Sequence, residues 1–263
     1  MSSYPKQGRV LVTGASSGIG AAYATKLAQL GYSLSLVARR RDRLEALAKA
    51  LQSKFGVNVD VQVADLENPD HLTHLESRLV GGAFVGLVNN AGSGGLGSIN
   101  ASGAQDLERN LRLNIVALAR LSRAALAGFK AQGEGFLVNI GSVLAFAPSP
   151  AAAAYSGAKA FVLNFTRSLQ LEFSASPVRI QLVMPGPVRT EFLSSQGMDE
   201  SVFPASAYLS ADQLVAAAMA GLDRGEAITI PSIPDVETWE KIEVARKEFM
   251  AATLSGKVAI RYQ

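Results

Sequence analysis

The chain contains no cysteine, a single tryptophan and only two histidines among its 263 residues. Without cysteine there is no disulfide framework, thiolate nucleophile, zinc ribbon or iron–sulfur ligation. That absence fits a reducing cytosol. An excess of charge of one sign is lacking too. The formal net charge is only +3, so a nucleic-acid partner is not expected, because that needs a localised basic face. No uninterrupted apolar run approaches ~18 residues, so no membrane span is expected. The opening MSSYPKQGRVLV has no long apolar core or small-residue cleavage site, and a secretory signal is not expected. With 48% hydrophobic residues the chain should collapse rather than stay disordered. A cytoplasmic globular protein is the expectation.

Short apolar runs alternate with longer segments of helical period. Strands are expected at Arg9–Thr13, Ser33–Ala38, Val57–Ala64, Phe84–Asn89, Gly135–Ile140, Arg179–Met184 and Ala227–Ile230. Helices are expected at Ile19–Leu30, with Gly31 as its stop, and from about Asp42 to Phe55, with Leu44, Leu47 and Leu51 on one stripe. Two more should span Ala104–Lys130 and Ala154–Phe173. Such alternation implies repeated βαβ units with right-handed crossovers. The expected fold is therefore α/β, one doubly wound parallel sheet of about seven strands with helices on both faces, in one domain over 1–263. The longest break in periodicity, Glu191–Leu209, has the length of a functional lid. A C-terminal extension follows from about 231 to 263, amphipathic around Val236–Ala252.

Between the first strand and helix stands Thr13-Gly14-Ala15-Ser16-Ser17-Gly18-Ile19-Gly20. Glycines here let the backbone turn tightly and approach a pyrophosphate, which the helix N-terminus then holds. The same residues match the G-x-S-x-G nucleophile elbow of α/β-hydrolases. A hydrolase needs a histidine late in the chain, and the only ones are His71 and His74. These two lie three apart with no acid at ligand spacing, and a surface helix after Pro69 accounts for both. No metal is expected.

Further motifs follow in order. Asn89-Asn90-Ala91-Gly92 comes after the fourth strand, Asn114 within the next helix, Ser142 after the fifth strand, and Tyr155-Ser156-Gly157-Ala158-Lys159 opens another helix. Together with T-G-x-x-x-G-x-G, this resembles the short-chain dehydrogenase/reductase family over about Arg9–Ile230. The resemblance implies a nicotinamide cofactor and hydride transfer at a carbonyl or alcohol carbon. It casts Asn114, Ser142, Tyr155 and Lys159 as the catalytic set, with Lys159 also on the nicotinamide ribose and Asn114 positioning a relay water. It implies cofactor contacts from Gly14, Ser16, Ser17, Gly18, Ile19, Gly20, Asn90, Ala91 and Gly92. Asp65 would meet the adenine, with Leu66 beside it. Pro185, Gly186, Val188 and Thr190 would pack the carboxamide.

The residues make chemical sense in their own right. Tyr155 and Lys159, four apart, share one helical face. A neighbouring ammonium should lower the phenol from its usual value of about 10. Ser142 can hold a substrate oxygen beside Tyr155.

At the end of the second strand stand Val37-Ala38-Arg39-Arg40-Arg41-Asp42. Relatives that prefer NAD place an acid directly after this strand; here Ala38 is followed by Arg39. An arginine can pair a 2′-phosphate, so NADP(H) is preferred over NAD(H), with Arg39 as the principal contact and Arg40 as a weaker one. Ser16 and Ser17 stand where some NADP-dependent relatives carry another basic residue.

Loops Ser93–Ser98 and Val143–Phe146 and the lid offer Leu144, Phe146, Phe192, Leu193, Met198, Phe203 and Tyr208 to a substrate, with acids at Asp199 and Glu200. A neutral, fairly apolar ketone, aldehyde or alcohol is expected. The alternatives are an isomerase or dehydratase on the same scaffold, or a catalytically idle NADP(H)-binding regulator. By resemblance, the two long helices are expected to form a homodimer or homotetramer.

Overall fold

The structure is a computed structural model describing residues 4–263. Seven strands form one sheet in the order β3-β2-β1-β4-β5-β6-β9, every neighbouring pair parallel. They are β1 (Arg9–Thr13), β2 (Ser33–Ala38), β3 (Val59–Val63), β4 (Gly86–Asn89), β5 (Phe136–Ile140), β6 (Arg179–Val183) and β9 (Ile228–Thr229). Helices α1 (Gly18–Gln29), α2 (Arg41–Phe55) and α8 (Ala211–Arg224) contribute to one core layer, and α3 (Pro69–Val80) and α5 (Leu118–Gln132) to the other. Helix α6 (Ala153–Glu172) adds Leu169 to that second layer.

Alternation along each strand explains both layers. In β1, Val10 and Val12 join the first core while Leu11 joins the second; in β5, Val138 and Ile140 face one way and Leu137 the other. Strands buried on both faces therefore read as unbroken apolar runs. Helix ends follow their local chemistry. Gly31 has φ +90 and stops α1. Asn68 caps α3 through its side-chain oxygen, which accepts from the Asp70 and His71 amides.

The structure departs from the sequence expectations at several places. Ala104–Lys130 is not one regular helix: α4 (Ala104–Leu111) passes through a wider π turn at Arg112–Ala117 before α5 begins. Strand β3 is shorter than Val57–Ala64, and β9 shorter than Ala227–Ile230. Helix α8 has no counterpart in the expected elements; a capping box of Ser210 and Gln213 opens it, and Gly225 at φ +75 ends it. Within the irregular stretch, α7 (Glu191–Ser194) forms a single turn. The stretch is pinned at its ends, because β7 (Val188–Arg189) pairs in parallel with β8 (Leu209–Ser210).

Two compact units divide the chain after Pro231. The second, Ser232–Gln263, consists of α9 (Val236–Thr253) and a short turn at Ile260–Tyr262. Asp235 caps α9 by accepting from the Glu237 amide at 2.8 Å. None of the residues of α9 is buried. Among the described residues, no helix is long and apolar enough to cross a membrane.

Candidate active site

Everything singled out as chemical lies at or beyond the carboxyl ends of the strands, where open parallel sheets bind ligands. The glycine turn leads from β1 into α1. Gly14 and Gly18 hold φ +67 and +53, a region that disfavours side chains. A Cβ on Gly20 would collide with the Gly14 carbonyl oxygen, and one on Gly14 would stand 2.7 Å from Asn90 Nδ2. Ser17 precedes the helix without capping it through its side chain. The first-turn N–H groups of Gly18, Ile19 and Gly20 therefore remain available to an external anion.

Thr13 organises the next turn, a role the motif reading did not give it. Its hydroxyl accepts from the Asn90 and Ala91 amides, both at 3.0 Å, while Asn90 Nδ2 donates to the Thr13 carbonyl oxygen at 3.0 Å. The glycine loop and the Asn89–Gly92 turn are thus one rigid wall. Gly92 is required there for space, because its Cβ would stand 2.7 Å from Asn114 Oδ1.

Asn114 sits in the π turn, buried, with Nδ2 donating to the Ser93 and Asn110 carbonyl oxygens. Asn110 also reaches Ser93 Oγ at 3.0 Å. This pair clamps the loop after Gly92. Asn110 escaped the sequence reading because it belongs to no motif, and Ser93 entered it only as the start of a substrate loop.

Ser142, Tyr155 and Lys159 converge from β5 and α6, exposed by only 7%, 9% and 6%. The Ser142 hydroxyl accepts from the Leu144 amide at 3.2 Å and stands close enough to the Tyr155 phenol to lower its pKa. Lys159 Nζ lies 5.5 Å from the Tyr155 ring centroid. The electrostatics differ from the sequence expectation. Burial pushes Tyr155 up to about 12, and the Ser142 hydroxyl only partly opposes it. Burial likewise lowers Lys159 to about 8. Desolvation outweighs the attraction expected between the ammonium and a phenolate.

The Pro185 carbonyl oxygen accepts from the Val143 amide at 3.0 Å, joining the end of β6 to the Ser142 turn; Gly186 follows it, partly exposed. Val188 anchors β7 against the first core. Thr190 caps α7 through its hydroxyl, and its methyl lies 3.0 Å from where a Gly18 Cβ would stand. Phe192 packs on Tyr155, ring centroids 5.5 Å apart.

At the other end of the cleft the two arginines part company. Arg39, the expected principal contact, projects outward with its side chain 68% exposed and lies 3.8 Å from Glu67. Arg40, the lesser candidate, folds over the glycine turn, donating to Ser16 Oγ at 3.0 Å and Ser17 Oγ at 2.7 Å. The Asp65 carboxylate accepts from the Glu67 amide in its own turn, beside buried Leu66.

Residues 8–201 match the family profile described as short chain dehydrogenase. The chain belongs to that family. It is similar to a short-chain dehydrogenase from Sphingobium yanoikuyae solved in complex with NADPH: 41% identical, 97% of this chain and 100% of that one covered, TM-score 0.93. It is also similar to the bulky-bulky ketone specific alcohol dehydrogenase from Comamonas testosteroni, 36% identical over 98% of this chain and 99% of that one, TM-score 0.89. Human (Homo sapiens) 17-beta-hydroxysteroid dehydrogenase type 3 is 32% identical over 68% of this chain and 59% of its own. The chain thus spans about three-fifths of the length of the first curated relatives it matches.

Proposed function

We propose that the protein is an NADP(H)-dependent oxidoreductase that moves a hydride between the nicotinamide and the carbonyl or alcohol carbon of a neutral, fairly apolar substrate. The observation carrying this reading is the convergence of buried Ser142, Tyr155 and Lys159 beside a glycine-walled cradle with unclaimed N–H groups. That cradle fits a dinucleotide: the missing Cβ atoms leave room for the pyrophosphate, and the α1 N-terminus supplies donors. The bound cofactor would supply the hydride.

The chain's own residues would do the rest. Ser142 holds the substrate oxygen within reach of Tyr155. Tyr155 donates its proton to that oxygen during reduction and takes it back during oxidation. A phenol raised toward 12 is protonated at neutral pH, the form that reduction requires. Lys159 adds positive charge behind it when protonated, while Asn114 and Asn110 fix the neighbouring loop. Gly14, Gly18 and Gly20 would line the pyrophosphate. Asn90, Ala91, Gly92, Pro185, Gly186, Val188 and Thr190 would line the nicotinamide half, and Asp65 and Leu66 would meet the adenine.

The preference for NADP(H) is supported by Arg40 on the serines of the glycine turn, with Arg39 as the outer partner, and by the NADPH held by the Sphingobium relative. A bulky ketone as substrate is supported by Phe192 over Tyr155 and by the specificity named for the Comamonas relative. Self-association through α4–α6 is supported by exposed Leu111 and Val116 and by Phe161, which stacks on Phe165.

The test is oxidation of NADPH and NADH by the purified protein across ketones of graded size. Turnover with NADPH exceeding that with NADH, and persisting with bulky ketones, is expected. A protein that binds NADPH yet reduces none of them overturns the reading.

A further inference from the structure

Glu191 carries an interaction that the proposed reaction does not use. Its carboxylate meets Arg43 Nη1 at 2.6 and 2.8 Å and Arg40 Nη1 at 3.0 Å. These partners lie about 150 residues away, where α2 starts. Hydrogen bonds from Arg43 and then Arg40 hold the Glu191 carboxyl below the usual carboxylate range. The same Arg40 side chain reaches Ser16 and Ser17. An anion therefore already sits where a 2′-phosphate would seek its cations.

The next residue along gives this contact a second end. Glu191 and Phe192 are adjacent in the one-turn α7, and Phe192 covers Tyr155. Gln196, just beyond, lies 2.8 Å from where a Gly94 Cβ would stand, over the loop following Asn90-Ala91-Gly92. One short turn thus touches the arginines at the adenosine end and the phenol at the substrate end.

We propose that Glu191 is an exchangeable stand-in for the coenzyme's 2′-phosphate, holding Arg40 and Arg43 until that phosphate displaces it and thereby loosening the turn that keeps Phe192 over Tyr155. This inference rests on the NADP(H) reading above. Exchange is favourable because the phosphate brings more charge and more acceptor oxygens than one carboxylate. It is also easy, because exposed arginine–carboxylate pairs are individually weak. The coenzyme would then open the path for its own substrate, an order of addition that NAD(H), lacking the phosphate, would not enforce.

Adenosine 2′,5′-bisphosphate and 5′-AMP, which lack the nicotinamide half, test this by calorimetry on the wild type and on Glu191→Gln. The wild type is expected to bind the bisphosphate more tightly. Glu191→Gln is expected to tighten the bisphosphate by about two- to tenfold while leaving 5′-AMP unchanged. Loss of a nearby negative charge would favour the bisphosphate even without exchange, so a second readout on the unaltered protein is needed. Amide hydrogen exchange across Phe192–Gly197 is expected to quicken when the bisphosphate binds and not when 5′-AMP does. Equal affinity of the wild type for the two ligands overturns the NADP(H) reading and this inference with it. Discrimination without a gain in Glu191→Gln, or with unchanged or slower exchange at Phe192–Gly197, overturns the exchange alone.

Discussion

Lys159 Nζ donates a 3.0 Å hydrogen bond to the carbonyl oxygen of Ile140, the last residue of β5. The bond ties the first turns of α6 to the strand end that delivers Ser142. It also holds an amine in a buried place, and burial lowers that amine from 10.5 to about 8.

A depressed lysine has a defined effect on stability. Below pH 8 both folded and unfolded chains hold the proton, and the buried charge costs its full amount. Between pH 8 and 10.5 the folded chain releases it first, so stability rises with pH; above that range the gain is complete. Tyr155 acts oppositely, losing stability as pH climbs from 10 to about 12. In Lys159→Met the rise should vanish, a difference on the order of 2–3 kcal/mol between wild type and variant across the window. Urea unfolding at pH 7, 8, 9 and 10 measures it, and parallel curves for the two proteins would refute the assignment.

Tyr155→Phe removes one oxygen and keeps the ring that packs on Phe192. Turnover should fall by about 10²- to 10⁴-fold, the usual worth of a positioned acid. NADPH affinity should stay within about threefold of the wild type, because the loss is a single hydroxyl exchanging one modest hydrogen bond. Turnover near that of the wild type would sink Tyr155 as the acid.

Most of the sheet was legible because strands buried on both faces are largely apolar, as in Val10–Val12 and Phe136–Val138. The glycine turn, the Asn89–Gly92 turn and Ser142 lie at strand ends, so the alternation of elements already located them, while Tyr155 and Lys159 sit on the helix that follows β5. Other features were hidden for physical reasons. Strands β7 and β8 are two residues each, too short for any period. Helix α8, which follows the irregular stretch directly, was not hidden; the Ser210–Gln213 box and the stripe of Leu214, Val215, Ala218, Met219 and Leu222 both mark it. The π turn at Asn114 breaks the helical period by one residue locally, which hydrophobic spacing does not register. Position directly after β2 ranks Arg39 above Arg40, whereas the fold brings Arg40 onto the glycine turn and leaves Arg39 outward. Their separation depends on Arg40 being the extended residue ahead of α2, and on Ser16, Ser17 and Glu191 arriving from elsewhere in the chain.

A buried polar chain links the sheet to α5 and α6. Asn89 Nδ2 donates to the Leu118 carbonyl and to Ser122 Oγ, Ser122 Oγ donates to Asn139 Oδ1, and Asn139 Nδ2 donates to Thr166 Oγ1. Asn139 is fully buried at its centre. Asn139→Leu strands the Ser122 and Thr166 hydroxyls together and should cost about 2–4 kcal/mol of folding stability. Chemical denaturation measures it, and a loss below about 0.5 kcal/mol would show that the chain is not cooperative.

Two glycines of the site region should respond to alanine in opposite directions. A Gly20 Cβ would collide with the Gly14 carbonyl oxygen and stand 2.6 Å from Asn90 Nδ2. Backbone cannot yield as a flexible side chain can, so the turn itself must open. Gly20→Ala should lose about 1–3 kcal/mol of stability. It should also lose about tenfold or more in NADPH affinity, since the α1 N-terminus moves from the pyrophosphate. Gly157, between Tyr155 and Lys159 on α6, meets nothing within 4 Å of its would-be Cβ. There alanine only restricts the unfolded chain and favours the helix, for a gain of about 0.5–1 kcal/mol. Melting temperatures of the two variants, with NADPH titrations, separate the cases: a stable Gly20→Ala with wild-type affinity would mean the glycine serves no close approach.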